Sequence, residues 1–273
     1  MLQLSEIWIY PIKSLGGISL TKALLTDRGL QYDRRWMLVT ENGIFISQRE
    51  YPKLALFKTE ISDGFLEVTF KENNEKIKFE LKTKFDSSQN KIQVSVWDDV
   101  VEAIEVSQEV SKWFTKQLGV KVFLVFMPDD SHRKVDSNYA ITGNEVTSFS
   151  DGYPFLIIGQ SSLDNLNSKL TEKVKMNRFR PNFVFKNGNA FEEEKWREFQ
   201  IGNISFVGLK PCFRCIVTTI DQENGIISGN EPLKTLASYR SFNNKVLFGQ
   251  NVIATNLGSI SIGDKIKINS RIL

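Results

Sequence analysis

Cys212 and Cys215 are the only cysteines of the 273-residue chain, and only Phe213 and Arg214 separate them. A cation beside a thiol lowers its pKa and favours the thiolate, the form that ligates metals. The β-branched run that follows, Ile216 to Ile220, reads as a buried strand. Four kinds of chemistry compete for such a pair. It can be structural. It can be a redox pair, although that motif ordinarily opens a helix whose dipole activates a thiol. It can be half of a zinc site, which a single histidine and the lack of further cysteines make hard to complete. Or one thiolate can serve a soft or redox-active metal held mostly by its own cofactor. Composition alone leaves the first and last of these open.

Basic residues recur where a small anion would sit. Lys13-Ser14 follows Pro11 and precedes Gly16-Gly17, a cation and a hydroxyl on flexible backbone. Arg34 stands in Asp33-Arg34-Arg35-Trp36; a guanidinium fork suits a phosphate, and a surface pair with Asp33 is the plainer alternative. In Arg178-Phe179-Arg180-Pro181-Asn182, an extended backbone would point both arginines the same way, and Pro181 favours extended geometry at Arg180. Ser150-Asp151-Gly152 forms a turn before an apolar run. Glu192-Glu193-Glu194 reads as a solvated acidic run. His132, between Ser131 and Arg133, falls in the polar stretch 127–149 and is expected to be exposed; a loop of that length could line a substrate entrance.

The elements that must position these residues are mostly strands. Apolar runs at 7–10, 18–25, 36–40, 45–48, 54–61, 65–70, 77–81, 92–96, 101–106, 122–126, 155–158, 183–185 and 204–207 are punctuated by Gly, Asn and Asp turns. Trp97-Asp98-Asp99 reads as a polar turn between two of them. The residues from 260 to 268 read as a closing hairpin around Gly263-Asp264. The clearest helix is 107–118: Val110, Trp113, Phe114 and Leu118 share a face, Ser107 can cap it, and Gly119 can end it. A second helix opens at Ser161-Ser162-Leu163-Asp164, which has the form of a capping box. A short third helix follows Pro232.

Composition narrows the class. The chain is 41% hydrophobic and 25% charged, as expected of a globular protein with a sizeable core. A net charge of +3 is too small to suggest a nucleic-acid partner. No run reaches the roughly 18 apolar residues of a membrane helix, so no membrane association is expected. Two cysteines suit a reducing compartment, and with no targeting pattern at the start the expected location is cytoplasmic.

Five segments occur together: Tyr10-Pro11-Ile12-Lys13-Ser14, Asp33-Arg34-Arg35-Trp36, Arg178-Phe179-Arg180-Pro181-Asn182, Cys212-Phe213-Arg214-Cys215 and Phe248-Gly249-Gln250-Asn251. In that order and at that spacing they resemble the MOSC domain family, and within it the amidoxime-reducing components and their bacterial relatives. The resemblance covers nearly the whole chain. It implies a mainly β protein with a few peripheral helices: a MOSC β-barrel of residues 1–34 and 127–273, and an inserted, sheet-rich MOSC N-terminal domain of residues 35–126. It implies a molybdenum cofactor (Mo-molybdopterin), with Cys215 as the metal ligand and catalytic thiolate and Cys212 as a spectator or a supporting thiol. Lys13, Ser14, Arg34, Arg180 and Asn182 fall on positions that hold the cofactor in relatives. Ser150, Asp151 and Gly152 match a cofactor-contacting turn, with Gly152 where a hydroxyl residue is the rule. Phe213, Arg214 and Asn251 complete the implied set, and Asn251 replaces an aromatic residue. The implied reaction is reduction of an N-hydroxylated small molecule, an amidoxime or hydroxylamine, to the amine. No internal electron route is legible, so a separate donor is expected, a ferredoxin- or cytochrome-type protein with its reductase. The alternative is a sulfur carrier or cofactor-maturation protein bearing a persulfide on Cys215.

Overall fold

The computed structural model describes residues 1–81 and 91–272. The chain opens with β1 (Gln3–Ile9), β2 (Ile18–Leu20), β3 (Lys22–Thr26) and β4 (Gly29–Leu30). The expected single strand at 18–25 is thus two: β2 pairs with β1, and the chain then shifts sheets so that β3 pairs with β22 (Ser259–Ser261) near the other end of the chain.

The middle of the chain builds two small sheets. β5 (Trp36–Val39), β9 (Ile92–Val96), β10 (Asp99–Glu105) and β11 (Phe123–Phe126) form one, in the order β5-β11-β10-β9. β6 (Phe57–Ser62), β7 (Phe65–Phe70) and β8 (Lys76–Glu80) form the other. β7 shows the alternation behind them: Leu66, Val68 and Phe70 are buried and the residues between them are not. Their apolar faces close on helix α1 (Gln108–Leu118), which buries Val110 and Phe114 against Phe57, Leu66 and Val68. Ser107 Oγ accepts from the Val110 amide and Gly119 ends the helix in the left-handed region, as its sequence requires. One expected strand is absent here and another starts late, at Phe57 rather than Leu54. Pro52 starts a 3-10 turn over Pro52–Leu56, and residues 45–48 make only isolated bridges because Glu50 folds back onto Ser47.

The C-terminal half contributes two short bridges, β12 (Arg133–Lys134) and β13 (Val146–Thr147), then β14 (Phe155–Gly159), α2 (Gln160–Asn167), β15 (Phe183–Lys186), β16 (Trp196–Ile201) and β17 (Ile204–Arg214). After β18 (Ile220–Asp221), β19 (Ile226–Ile227), α3 (Leu233–Tyr239) and β20 (Ser241–Phe242) come β21 (Lys245–Ala254), β22 and β23 (Ile266–Arg271). The large sheet runs β2-β1-β15-β14-β21-β17-β16-β23. Ile266 donates its amide to Leu2 O and Leu4 donates to Asp264 O, so the last strand returns to the first and the sheet closes. Phe155, Phe183, Phe199 and Phe206 fill the interior with Leu4, Ile7 and Val252. The expected hairpin at 260–268 does not form; β22 pairs with β3 and β23 with β16.

Three local readings are overturned by tertiary partners. The helix α2 has no capping box: its N-cap is Gly159, and the buried carboxylate of Glu193 accepts from the Gly159 amide and from Ser162 Oγ. The acidic run is therefore not a solvated patch; Glu193 is fully buried and Glu194 pairs with Arg240. Residues 176–180 are not extended. Met176–Arg178 is a 3-10 turn, and Arg180 sits in the left-handed region at φ 54° despite Pro181.

Candidate active site

A cavity of about 430 Å³ opens between the middle sheets and the C-terminal half. Both thiols line it. β17 continues well past the expected 204–207 and carries Cys212, with register shifts on either side of Pro211. Cys215 follows the strand. The run after it is not a buried strand but a 3-10 turn, Ile216–Thr219, with Cys215 at its N-cap. The cause is local: the Thr218 amide and hydroxyl both donate to Cys215 O, and Thr219 Oγ donates to Ile216 O. Burial pushes the Cys212 thiol up, against the pull of Arg214.

Arg214 does not serve Cys215 as the neighbouring cation. Its Nε donates to Phe248 O (2.8 Å) and its Nη1 to Phe179 O (2.9 Å), tying two walls together, and its buried Nη2 has no partner among the described residues. The guanidinium on the Cys215 sulfur belongs instead to Arg49, whose Nη2 lies 3.4 Å from Sγ. Arg49 and Trp97, the latter also lining the cavity, come from a region that had shown little candidate chemistry.

The candidate anion-binding residues line the same cavity. Lys13 is buried and donates to Phe149 O (2.8 Å) and Asp151 Oδ1 (2.6 Å). Burial brings its pKa down to about 8, against the opposing pull of Asp151. Arg34 and Arg180 each place a guanidinium carbon near the Tyr10 ring, at 4.3 and 4.2 Å from its centroid. Burial lowers Arg180 to about 10. Asp33 organises the group: it is buried, and it accepts from Arg34 Nη1 (2.6 Å), the Tyr10 amide (2.7 Å) and Asn182 Nδ2 (3.1 Å). The surface-pair alternative for Asp33–Arg34 therefore fails, since both side chains are 12% exposed or less. Asn182 lines the cavity, but its Nδ2 is also held by Trp8 O and its Oδ1 accepts from the Leu156 amide. Arg178 lines it too and turns toward Ser228.

The turn at Ser150-Asp151-Gly152 also reaches the cavity. Ser150 Oγ donates to Tyr153 O (2.9 Å). A Cβ added at Gly152 would meet nothing within 4 Å, so the position has room for the hydroxyl side chain it lacks. The turn is braced by Arg133, which sequence had placed in an exposed loop. Arg133 is buried and donates to the carbonyls of Ser148, Ser150 and Asp151 and to Asp99 Oδ2. Its neighbour His132 is exposed, as expected.

Ser14 adopts φ 70°, and its carbonyl accepts from Gln48 Nε2. Gly249 needs its glycine: at φ 83° a Cβ would lie 2.6 Å from Ile158 Cγ1. This tight passage in β21 leads to Asn251, whose Nδ2 reaches Lys210 O (3.3 Å). Phe213 is exposed at the mouth, with Lys245 Nζ 4.4 Å and Lys210 Nζ 5.5 Å from its ring centroid.

All the residues that the family resemblance assigned to the site thus line one cavity. Arg49, Trp97, Asp33 and Arg133 were missed. Arg49 and Trp97 carried no local signal; Asp33 and Arg133 stood in segments already quoted, but nothing in those segments marked them as buried.

Residues 1–121 match the MOSC N-terminal beta barrel domain, and residues 144–267 match the MOSC domain. The mitochondrial amidoxime reducing component 2 of Bos taurus is 32% identical, with 96% of this chain and 82% of that protein aligned. The mitochondrial amidoxime-reducing component 1 of Homo sapiens is 29% identical, over 96% of this chain and 81% of its own length. The molybdenum cofactor sulfurase of Arabidopsis thaliana is 30% identical over 90% of this chain, which corresponds to 32% of that protein. A cavity lined by thiols and cations, on a chain that aligns almost end to end with these relatives, places the protein in the MOSC domain family alongside the amidoxime-reducing components.

Proposed function

We propose that the protein is a molybdenum-cofactor-dependent reductase of N-hydroxylated compounds. The observation that carries this reading is a single cavity lined both by Cys215 and by the cations Lys13, Arg34 and Arg180. Cations that outnumber nearby carboxylates suit a phosphate-bearing group. Among the described residues no group of three or more His, Cys, Asp or Glu side chains is placed to hold a metal ion. That suits a metal brought by its own cofactor, to which the protein adds one thiolate.

When bound, the cofactor supplies the two-electron redox centre. The chain supplies the rest. Lys13, Arg34 and Arg180 would hold the phosphate end, with Asp33 and Tyr10 fixing the two arginines. Cys215 would hold the metal end. The turn at 150–152 would close one wall under the restraint of Arg133. Trp97 and Phe213, both exposed, flank the mouth where a small substrate would enter. Electrons would come from a separate carrier protein and its reductase.

The test is turnover. Full-length protein loaded with molybdenum cofactor is given an amidoxime and NADH, with and without a ferredoxin- or cytochrome-type carrier and its reductase. Amine formation only with the carrier pair supports the reading. Turnover with NADH alone refutes the need for a partner. No turnover with a reduced viologen, together with a persulfide on Cys215 by mass spectrometry, would favour the sulfur-carrier alternative, which the sulfurase relative supports.

A further inference from the structure

We propose that the tip of the β9–β10 hairpin is built for the active site: Trp97 holds the Arg49 guanidinium on the Cys215 sulfur. β9 and β10 pair Val96 with Asp99, so Trp97 and Asp98 are the two residues of the turn. Trp97 takes φ 57°. The first central position of a two-residue hairpin turn with positive φ is one that glycine fills without strain. A bulky aromatic side chain there is an outlier, and such strain persists where contacts over-determine it. Core burial does not supply those contacts, because Trp97 is 41% exposed.

What the indole touches is the site. Its ring packs edge-on against Phe45, with centroids 4.8 Å apart. Its Nε1 lies 3.4 Å from Asp151 Oδ1, beside the Lys13 ammonium. Its face carries Arg49, with the guanidinium carbon 4.3 Å from the ring centroid. From there Arg49 Nη2 reaches Cys215 Sγ. The adjacent Gln48 is anchored independently, donating from Nε2 to Ser14 O (2.6 Å) and accepting at Oε1 from Gln222 (2.9 Å). The backbone is therefore fixed before the Arg49 side chain is aimed.

An N–H donor on a thiolate stabilises the anion and withdraws charge from sulfur. Donors to ligand sulfurs are one way proteins tune a bound metal. Arg49 thus acts on the ligand atom itself, and Trp97 is a positioning residue that acts through Arg49. The assignment rests on Cys215 being the working thiol of the proposed reductase.

The test needs no metal. In full-length protein prepared without cofactor and carrying Cys212→Ser, the alkylation rates of Cys215 by anionic iodoacetate and neutral iodoacetamide are compared. A cation on the sulfur favours the anionic reagent, so the rate ratio should fall by about threefold or more in Arg49→Gln. Trp97→Gly should lower it by a similar factor, and the double variant should fall no further, because both changes remove one interaction. Trp97→Phe should keep most of the ratio. The unfolding midpoint of Trp97→Gly should stay within about 3 °C of the parent. An unchanged ratio in Trp97→Gly, or falls that multiply in the double variant, would overturn the proposal while leaving the reductase reading intact. Loss of turnover in the reductase assay with an intact ratio pattern would do the reverse.

Discussion

Glu193→Gln offers a quantitative check on the tertiary reading of the acidic run. Glu193 is fully buried, and burial raises its pKa from 4.5 to about 7, against hydrogen bonds from the Gly159 amide and Ser162 Oγ. The folded protein therefore holds this proton more tightly than the unfolded chain does. The resulting stability is fully present below pH 4.5, and it is lost as the pH rises toward 7. At about 1.4 kcal/mol per pKa unit, the loss is on the order of 3 kcal/mol. Glutamine stays neutral throughout and keeps an oxygen for the Gly159 amide that opens α2. Urea unfolding of wild type and Glu193→Gln, repeated between pH 4.5 and 8, separates this group from the other titrating residues. The variant should gain on wild type by about 3 kcal/mol across the interval and hold that gain above it. Parallel stability curves would refute the reasoning, because they would mean that Glu193 ionises in the folded protein as easily as in water.

Cys215→Ala should abolish molybdenum retention and activity, whereas Cys212→Ala should keep both; metal per chain and turnover decide, and the opposite pattern would move the ligand to Cys212. Removing a buried charge-assisted partner costs about 2–5 kcal/mol of binding, so Arg180→Ala should release cofactor that the exposed-site control Lys134→Ala retains. Arg133→Ala should also weaken retention, since it frees the carbonyls of Ser148 and Ser150; cofactor content after gel filtration measures all three variants.

Much of this protein was legible in one dimension because the signals were local. The strand at 65–70, and the Ser107 and Gly119 caps of α1, are decided within a few residues, and the structure shows them as read. The five motif segments were recognisable as an ordered set, and each contributes at least one side chain to one cavity. What tertiary structure decided is which partner each polar group takes. Ile216–Thr219 has strand-forming residue types, yet Thr218 and Thr219 bond back to Cys215 and Ile216 and close a turn. Arg214 adjoins Cys215 in sequence but serves carbonyls about 35 positions away. Arg49 stands 166 positions before Cys215 and nonetheless reaches its sulfur. Arg133 and Glu193 read as solvated charges and are buried, because carbonyls, amides and hydroxyls brought in from other segments replace the water they give up. Local propensity sets the backbone of a strand or helix, but a buried charge is stable only where distant chain converges on it, and that convergence exists only in the folded molecule.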